Sequence, residues 1–397
     1  KYAGWYAIRD EAYYGDDELT DGPDKDTKIA PSGATCKWVE EESYFFRLSK
    51  YQDQLLELYK NNPDFIGPKS SNKEITSFVE GELRDLSISR TTFDWGVPVP
   101  GNDKHVMYVW IDALTNYISA LGYENGEADL MEFWPANVHL VGKEITRFHA
   151  IYWPAFLMSA NLPIPERVFA NGWWVVEGEK MSKSIGNVIT PETLMEKYGS
   201  DGSRYALLRE MPFGNDGNFS HENAVSRING DLANGLGNLA QRSLSMIAKN
   251  AEGKVPVNND YTDDDHALLN LTYALPTQTE ENIDAMQIHR YLEAVWHVIG
   301  EANAYIDAQA PWKLKKEDPD RMQTVLYVLA EVIRVCAIMA QPIIPTGANK
   351  VLDQLVVEEG ARTFANVNAD SALTSGTELP APQGVFPRLE LNKEEAA

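Results

Sequence analysis

The chain of 397 residues has only two cysteines, Cys36 and Cys336, and no Cys-x-x-Cys pair. That excludes a disulfide framework, and it excludes a structural zinc held by cysteine thiolates, which needs four ligands. A reducing, cytoplasmic setting is the expectation. Positive charge is also scarce: 35 Lys and Arg stand against 59 Asp and Glu, a net charge of −24. This balance argues against a protein that coats nucleic acid by bulk electrostatics. It leaves room for a local RNA site, because net charge governs encounter and solubility and not fold. Long hydrophobic runs are missing as well. The most apolar stretch, Val325–Ala340, is interrupted by Glu331 and Arg334, so no membrane span and no membrane partner are expected. No secretory leader is visible. The first residue is Lys1 and Lys1–Tyr6 already reads as mid-strand sequence, which predicts a chain that begins inside a larger gene product.

What is present is ordinary globular sequence, 44% hydrophobic and 24% charged, long enough for two to four domains. Lys1–Tyr14 alternates and is rich in aromatics, which predicts strand; the acidic Gly15–Gly33 stretch reads as an exposed loop. Helical spacing of Phe45, Leu48, Leu55, Leu58 and Tyr59 comes next. Short apolar runs at His105–Ile111, Asn137–Val141 and Val168–Val176 then alternate with helical patterns, the signature of a parallel α/β sheet. After about His221 the chain is helical: Val225, Ile228, Leu232, Leu236, Leu239 and Met246 recur at spacings of three and four, and long amphipathic patterns continue to Gln341. This predicts an all-α bundle.

Three strings carry chemistry. Lys180-Met181-Ser182-Lys183-Ser184 comes after a strand-like run and precedes Thr190-Pro191, a good helix N-cap with proline at the first helical position. Lysines on such a loop can reach polyphosphate as charge develops in phosphoryl or nucleotidyl transfer; taken generically, a Lys/Ser loop is solvated surface. Trp110, Ala113, Leu114 and Tyr117 share one helix face, and so do Ile145, His149 and Trp153. Both stretches lie just after apolar strand candidates, at whose carboxyl ends open α/β sheets bind ligands. Two aromatic faces there can enclose a thioether, whose sulfur–aromatic contacts are worth about 0.3–1.5 kcal/mol. On spacing alone, such stripes read as helix core.

The five-residue string resembles the KMSKS signature of class I aminoacyl-tRNA synthetases, and Tyr198-Gly199, Asp201 and Arg204-Tyr205 match the segment just downstream of it in that class. The resemblance implies that Lys183, with Lys180 and Ser182, contacts ATP phosphates and stabilises the adenylation transition state. The Tyr108–Tyr117 and Gly142–Pro154 strings are similar to segments of the methionyl-tRNA synthetase family. Carried over, Trp110, Ala113, Leu114, Tyr117, Ile145, His149 and Trp153 surround the methionine side chain, while Gly142 and Glu144 face the adenosine part of ATP. Leu114 stands where some members have proline, and Glu144 where many have aspartate. His149 is expected as a pocket wall and not as a general base, since the amino acid's own carboxylate is the nucleophile.

In the helical part, Asn238 and Arg242 are i, i+4 neighbours, and Pro311-Trp312 comes after a long helix. Amide, guanidinium and indole groups suit splayed, stackable RNA bases. Alone they read as a solvated polar pair and a buried tryptophan. By resemblance, Asn238, Arg242, Pro311 and Trp312 read the anticodon of tRNA(Met).

Two family features are absent from the sequence. Ala7 and Asp10 stand where many relatives carry zinc-knuckle cysteines, so no structural zinc is expected, and Mg²⁺ accompanies ATP. No His-x-Gly-His string occurs.

The resulting expectation is the second half of a Rossmann-like class I catalytic domain with a connective insertion, followed by an all-α anticodon-binding bundle. Its boundaries are 1–104 for the insertion, 105–172 for the half-Rossmann part, 173–220 for the KMSKS and stem-contact region, 221–345 for the anticodon domain and 346–397 for a C-terminal segment. The implied activity is a cytoplasmic, monomeric methionine–tRNA ligase that takes L-methionine, ATP and tRNA(Met). The alternatives are a catalytically incomplete anticodon-binding fragment, favoured by the missing string, and another adenylate-forming class I relative.

Overall fold

The aromatic start of the chain forms two antiparallel strands, Tyr2–Ala7 and Ala12–Tyr14. The computed structural model describes residues 2–9, 12–81, 83–92, 94–123, 130–176, 178–181 and 186–390, in two units, Lys1–Asn171 and Gly172–Ala397. In the first unit the two opening strands join Thr35–Glu41, Thr27–Ile29 and Thr20–Asp21 in a five-stranded antiparallel sheet. The stretch expected as loop therefore supplies two short strands, the edge strand Thr20–Asp21 and its inner neighbour Thr27–Ile29. They are two and three residues long, too short to show alternation. Trp5 lies opposite both Tyr14 and Trp38 in register. Its indole N–H donates to Asp16 at 3.0 Å, and Lys28 sits 2.5 Å from the same carboxylate and 5.0 Å over the Trp5 ring. Ala7 and Cys36 are buried with Ala30 and Ala34 in a small apolar cluster. Asp10 lies outside the described residues. Among the described residues no group of three or more His, Cys, Asp and Glu side chains is arranged to hold a metal ion.

The parallel sheet differs from expectation in one strand. His139–Gly142 and Val168–Asn171 pair in parallel as the alternation implies, but their third partner is Ile66–Gly67. The His105 run belongs to Asn102–Met107, which pairs antiparallel with Pro98–Val99 and Ser89–Arg90. Pro100-Gly101 explains this: Gly101 takes φ +78°, a left-handed turn that folds the strand back on its predecessor as a hairpin. A helix that hydrophobic spacing does not announce, Lys69–Glu80, buries only Ile75 and Val79, one turn apart, against Leu55 and Tyr59 of the Gln52–Asn61 helix. The Val168–Val176 run is split at Gly172, where a Cβ would sit 2.0 Å from the Asn215 carbonyl oxygen. Beyond that break, Trp174–Val176 runs parallel to Gly217–Phe219 and antiparallel to Glu179–Lys180 in the second unit.

The rest of the second unit is a helix bundle built around Pro319–Ala340. Every residue from Thr324 to Ala340 is buried there, including Glu331 and Arg334. The two charges bond each other at 2.6 Å; Glu331 also accepts from the Tyr273 hydroxyl and the Leu373 amide, and Arg334 donates to the Asn366 carbonyl. A buried ion pair is tolerable only when its remaining donors and acceptors are also met. Here those partners also tie the C-terminal segment to the bundle core. The helix is long and apolar enough to cross a membrane, yet 94% of its most apolar window is buried inside the protein, the mark of a core helix. Leu232, Leu236 and Leu239 face this core as their spacing predicts, but Ile228–Gly237 winds as a π-helix before the α-helix Asn238–Asn250.

Candidate active site and anticodon face

The Val109–Ser119 helix and the segment after His139–Gly142 supply the aromatic groups. The second segment is not one α-helix. Lys143–Ile145 is a 3₁₀ turn, Phe148–Tyr152 a π-helix, and Trp153–Ala160 an α-helix. Pro154 is one cause: it has no N–H to give the Ala150 carbonyl four residues back. The Tyr59 hydroxyl fills that acceptor at 2.7 Å. The Trp153 amide instead reaches the Phe148 carbonyl, five residues back. A π-turn inside a helix recurs at functional sites, since it re-aims side chains.

The re-aimed side chain is His149, only 2% exposed. Its Nδ1 lies 2.9 Å from the Ile145 carbonyl oxygen, and its Nε2 2.8 Å from the Tyr117 hydroxyl. A carbonyl only accepts, so Nδ1 carries the proton, Nε2 accepts, and Tyr117 is the donor. Burial lowers the His149 pKa, against an opposing contribution from the Ile145 carbonyl, and favours this neutral form. Burial also raises the Tyr117 pKa, keeping the phenol protonated. Trp153 packs 6.2 Å from Tyr117, and both join the cluster of Leu114, Ile118 and Trp134. Trp110 lies at the edge of that cluster, stacked on Phe148 at 3.6 Å.

Of the seven pocket residues expected from sequence, Trp110, Leu114, Tyr117 and Trp153 thus come together, and His149 joins through Tyr117. Leu114 is fully buried, Ala113 is exposed on the same helix, and Ile145 packs against a different cluster, with Val141 and Ile151. Gly142 ends its strand so close to Glu144 that a Cβ would meet the carboxylate at 2.8 Å. Glu144 itself is exposed at the turn.

Sequence reasoning missed three groups here. His139 lies 4.3 Å from the Tyr117 ring; burial, and then His149, push its pKa down to about 4. Trp134 stands edge-on to Trp153 at 5.9 Å. Arg90 is buried with its guanidinium 3.5 Å from Glu41, 2.8 Å from Ser87 Oγ and 4.0 Å over the Tyr108 ring. It lines a cavity of about 570 Å³ with Tyr108, Val109, Asp112 and Trp95. Arg90 stands far upstream of the Tyr108–Tyr117 string in the sequence, and only the strand pairing of Ser89–Arg90 with Asn102–Met107 brings it there.

In the second unit, Lys180 lies on the Glu179–Lys180 strand, while Ser182 and Lys183 fall outside the described residues. The helix after that loop starts as its sequence predicts, with Thr190 Oγ1 accepting from the Thr193 amide at 3.2 Å and Pro191 opening the helix. On the bundle, Arg242 and Trp312 meet: the guanidinium lies 5.8 Å over the indole, and Asp307 holds it at 2.7 Å. Asn238 is exposed one turn earlier on the same helix; Pro311 is buried while Trp312 is 46% exposed. Asp307 was not anticipated, because a lone acidic residue on a helix carries no signal.

A family model described as tRNA synthetases class I (M) matches residues 5–244, and one described as the anticodon binding domain of methionyl tRNA ligase matches residues 255–396. The fold is therefore that of a class I aminoacyl-tRNA synthetase: a catalytic domain followed by a helical anticodon-binding domain. A methionine–tRNA ligase of Brucella suis is 59% identical over 387 residues, covering 98% of this chain and 75% of that protein. Two Mycobacterium tuberculosis methionyl-tRNA synthetase structures superpose closely. The one in complex with methionyl-adenylate has a TM-score of 0.92 at 50% identity, covering 98% of this chain and 76% of the other. The apo form has a TM-score of 0.91 at 48% identity, covering 98% and 77%. The chain belongs to the methionine–tRNA ligases, the enzymes that activate methionine with ATP and attach it to tRNA. Its match to both catalytic and anticodon models favours that reading over an anticodon-binding module alone.

Proposed function

We propose that the Tyr117–His149–Trp153 wall, with Trp110, Ala113, Leu114 and Ile145, receives the methionine side chain. The observation that carries this reading is the Tyr117–His149 hydrogen bond set among tryptophans: a neutral, aromatic, water-poor surface suited to an uncharged thioether. Neither ring is free to act as a base at neutral pH, which fits a step in which the substrate supplies the nucleophile. A methionine carboxylate oxygen attacks the α-phosphorus of ATP, the bond to the bridging oxygen of the β-phosphate breaks, and pyrophosphate leaves. The terminal ribose hydroxyl of tRNA then attacks the carbonyl of the adenylate, and AMP departs with the bonding electron pair. Gly142 and Glu144 contact the adenosine part, Lys180 and Lys183 neutralise the phosphates as charge develops, and the Ser182 hydroxyl donates a hydrogen bond to them. Mg²⁺ enters with ATP as part of the substrate.

Asn238, Arg242, Pro311 and Trp312 read the anticodon, and the roles divide the chain into an insertion at 1–104, a catalytic half at 105–172, a loop and stem-contact region at 173–220, an anticodon bundle at 221–345 and a C-terminal segment at 346–397. The enzyme works as a cytoplasmic monomer. In a hydrophobic pocket one methylene is worth only about 1–3 kcal/mol, so close methionine analogues are activated too. The test separates the sites. Lys183→Ala is expected to lower the rate constant of methionine-dependent ATP–pyrophosphate exchange. Arg242→Ala is expected to leave exchange alone and raise the tRNA KM in aminoacylation. Exchange unaltered by Lys183→Ala, or reduced by Arg242→Ala, overturns the assignment.

A further inference from the structure

The corner that presents Trp312 is unusual in its backbone and in what stands behind it. The helix Ile288–Gln309 ends on Ala310, which takes φ +43° and ψ +59°, and the helix Pro311–Glu317 starts at once. A non-glycine residue in the left-handed region is sterically disfavoured and persists only where its surroundings hold it. The residue before it, Gln309, is clamped at both ends of its amide. Its oxygen accepts from Arg321 Nη2 at 2.8 Å, and its nitrogen donates to Asp264 at 3.1 Å.

Arg321 is itself fixed by Asp265, a carboxylate with no exposed surface. That carboxylate accepts from Arg321 Nη1, from Arg321 Nη2 at 2.8 Å, from the Tyr305 hydroxyl, and from the Thr262 amide at 2.8 Å. Tyr305 lies four residues before Gln309 on the same helix. Asp265 thus ties the starts of two helices, Asp263–Tyr273 and Pro319–Ala340, to the end of a third. Against the opposing effect of burial, Arg321 and the other donors keep its pKa below the ordinary value, so the node stays ionised.

We propose that Asp265, Arg321, Tyr305 and Gln309 are positioning residues for anticodon recognition: they hold the Ala310 corner so that Trp312 stands beside Arg242, ready to stack on a base. This rests on the reading of Trp312 as an anticodon contact. The node touches no RNA. It removes the conformational freedom that Trp312 would otherwise lose on binding, and preorganisation of that kind appears directly in affinity.

The experiment measures the affinity of an RNA hairpin carrying the methionine anticodon loop for the full chain, with Gln309→Ala, Tyr305→Phe, Trp312→Ala and the combinations with Trp312→Ala. Thermal unfolding of each variant confirms that it is folded. Loss of one hydrogen bond to the node is expected to weaken binding about threefold to tenfold. The same substitutions made on Trp312→Ala are expected to have no further effect, a non-additivity that general destabilisation does not give. Methionine-dependent exchange by Gln309→Ala and Tyr305→Phe is expected to stay unchanged. If Trp312→Ala weakens binding while Gln309→Ala and Tyr305→Phe leave it unaltered, or add in full on top of it, the positioning role is refuted and the anticodon contact stands. If Trp312→Ala itself has no effect, the contact fails and the positioning role with it.

Discussion

Removing one hydroxyl, Tyr117→Phe, tests the electrostatic logic of the aromatic wall. The phenol is the donor to His149 Nε2, because the Ile145 carbonyl already claims the proton on Nδ1. His149 is 2% exposed, so water does not readily replace the lost donor. A buried acceptor left unsatisfied costs about 1–3 kcal/mol. At about 2–4 °C per kcal/mol for a unit of 150–250 residues, the thermal midpoint falls by about 2–12 °C. Differential scanning calorimetry reads this directly, and nitrogen NMR of His149 reads the tautomer. An unchanged midpoint, or a ring protonated on Nε2 in the wild-type chain, refutes the assignment of donor and acceptor.

Buried ionisable groups have further consequences. An unfolded histidine titrates near 6.5 and folded His139 near 4, so between those values the unfolded chain binds the extra proton. His139 therefore contributes a stability that is complete above pH 6.5 and declines as the pH falls through that window; His139→Phe is expected to flatten the fall in urea midpoint, and an identical pH profile contradicts this. Glu331→Gln, which strands the Arg334 guanidinium, is expected to cost about 3–5 kcal/mol in urea unfolding, while Glu331→Leu with Arg334→Met costs less. A double variant as unstable as the single one argues against that account. Burial raises the Cys336 thiol to about 12, and Cys36 is buried too. Neither is expected to react with a disulfide reagent at pH 8 until the chain is unfolded; rapid labelling of the native protein contradicts the burial.

Much of the architecture is legible in the sequence because the signals span many residues. The bundle is written in Leu232, Leu236 and Leu239, and the amphipathic runs near residues 264–274 and 320–341 match the helices Asp263–Tyr273 and Pro319–Ala340. Short-range and long-range features are not. Two- and three-residue strands carry too few side chains to alternate, and Lys69–Glu80 buries only two side chains. That Asn102–Met107 turns back as a hairpin depends on the Gly101 torsion, while Ile66–Gly67 enters the parallel sheet from far along the chain. Glu331 and Arg334 read as interruptions of an apolar run, although both are at its buried centre, because the partners that complete their bonding, Tyr273, Leu373 and Asn366, lie far along the chain. The candidate site is legible through its motifs, but the tautomer of His149, the stacking of Phe148 on Trp110 and the clamp of Asp307 on Arg242 are facts of packing that no spacing encodes.

The central claim is that Trp110 and His149 wall the methionine side chain. Methionine-dependent ATP–pyrophosphate exchange with Trp110→Ala and His149→Ala tests it most directly. Losing a buried aromatic contact worth about 1.5–3 kcal/mol predicts a methionine KM raised about tenfold to a hundredfold in each variant, with the ATP KM unchanged. A methionine KM that both variants leave at the wild-type value contradicts the account.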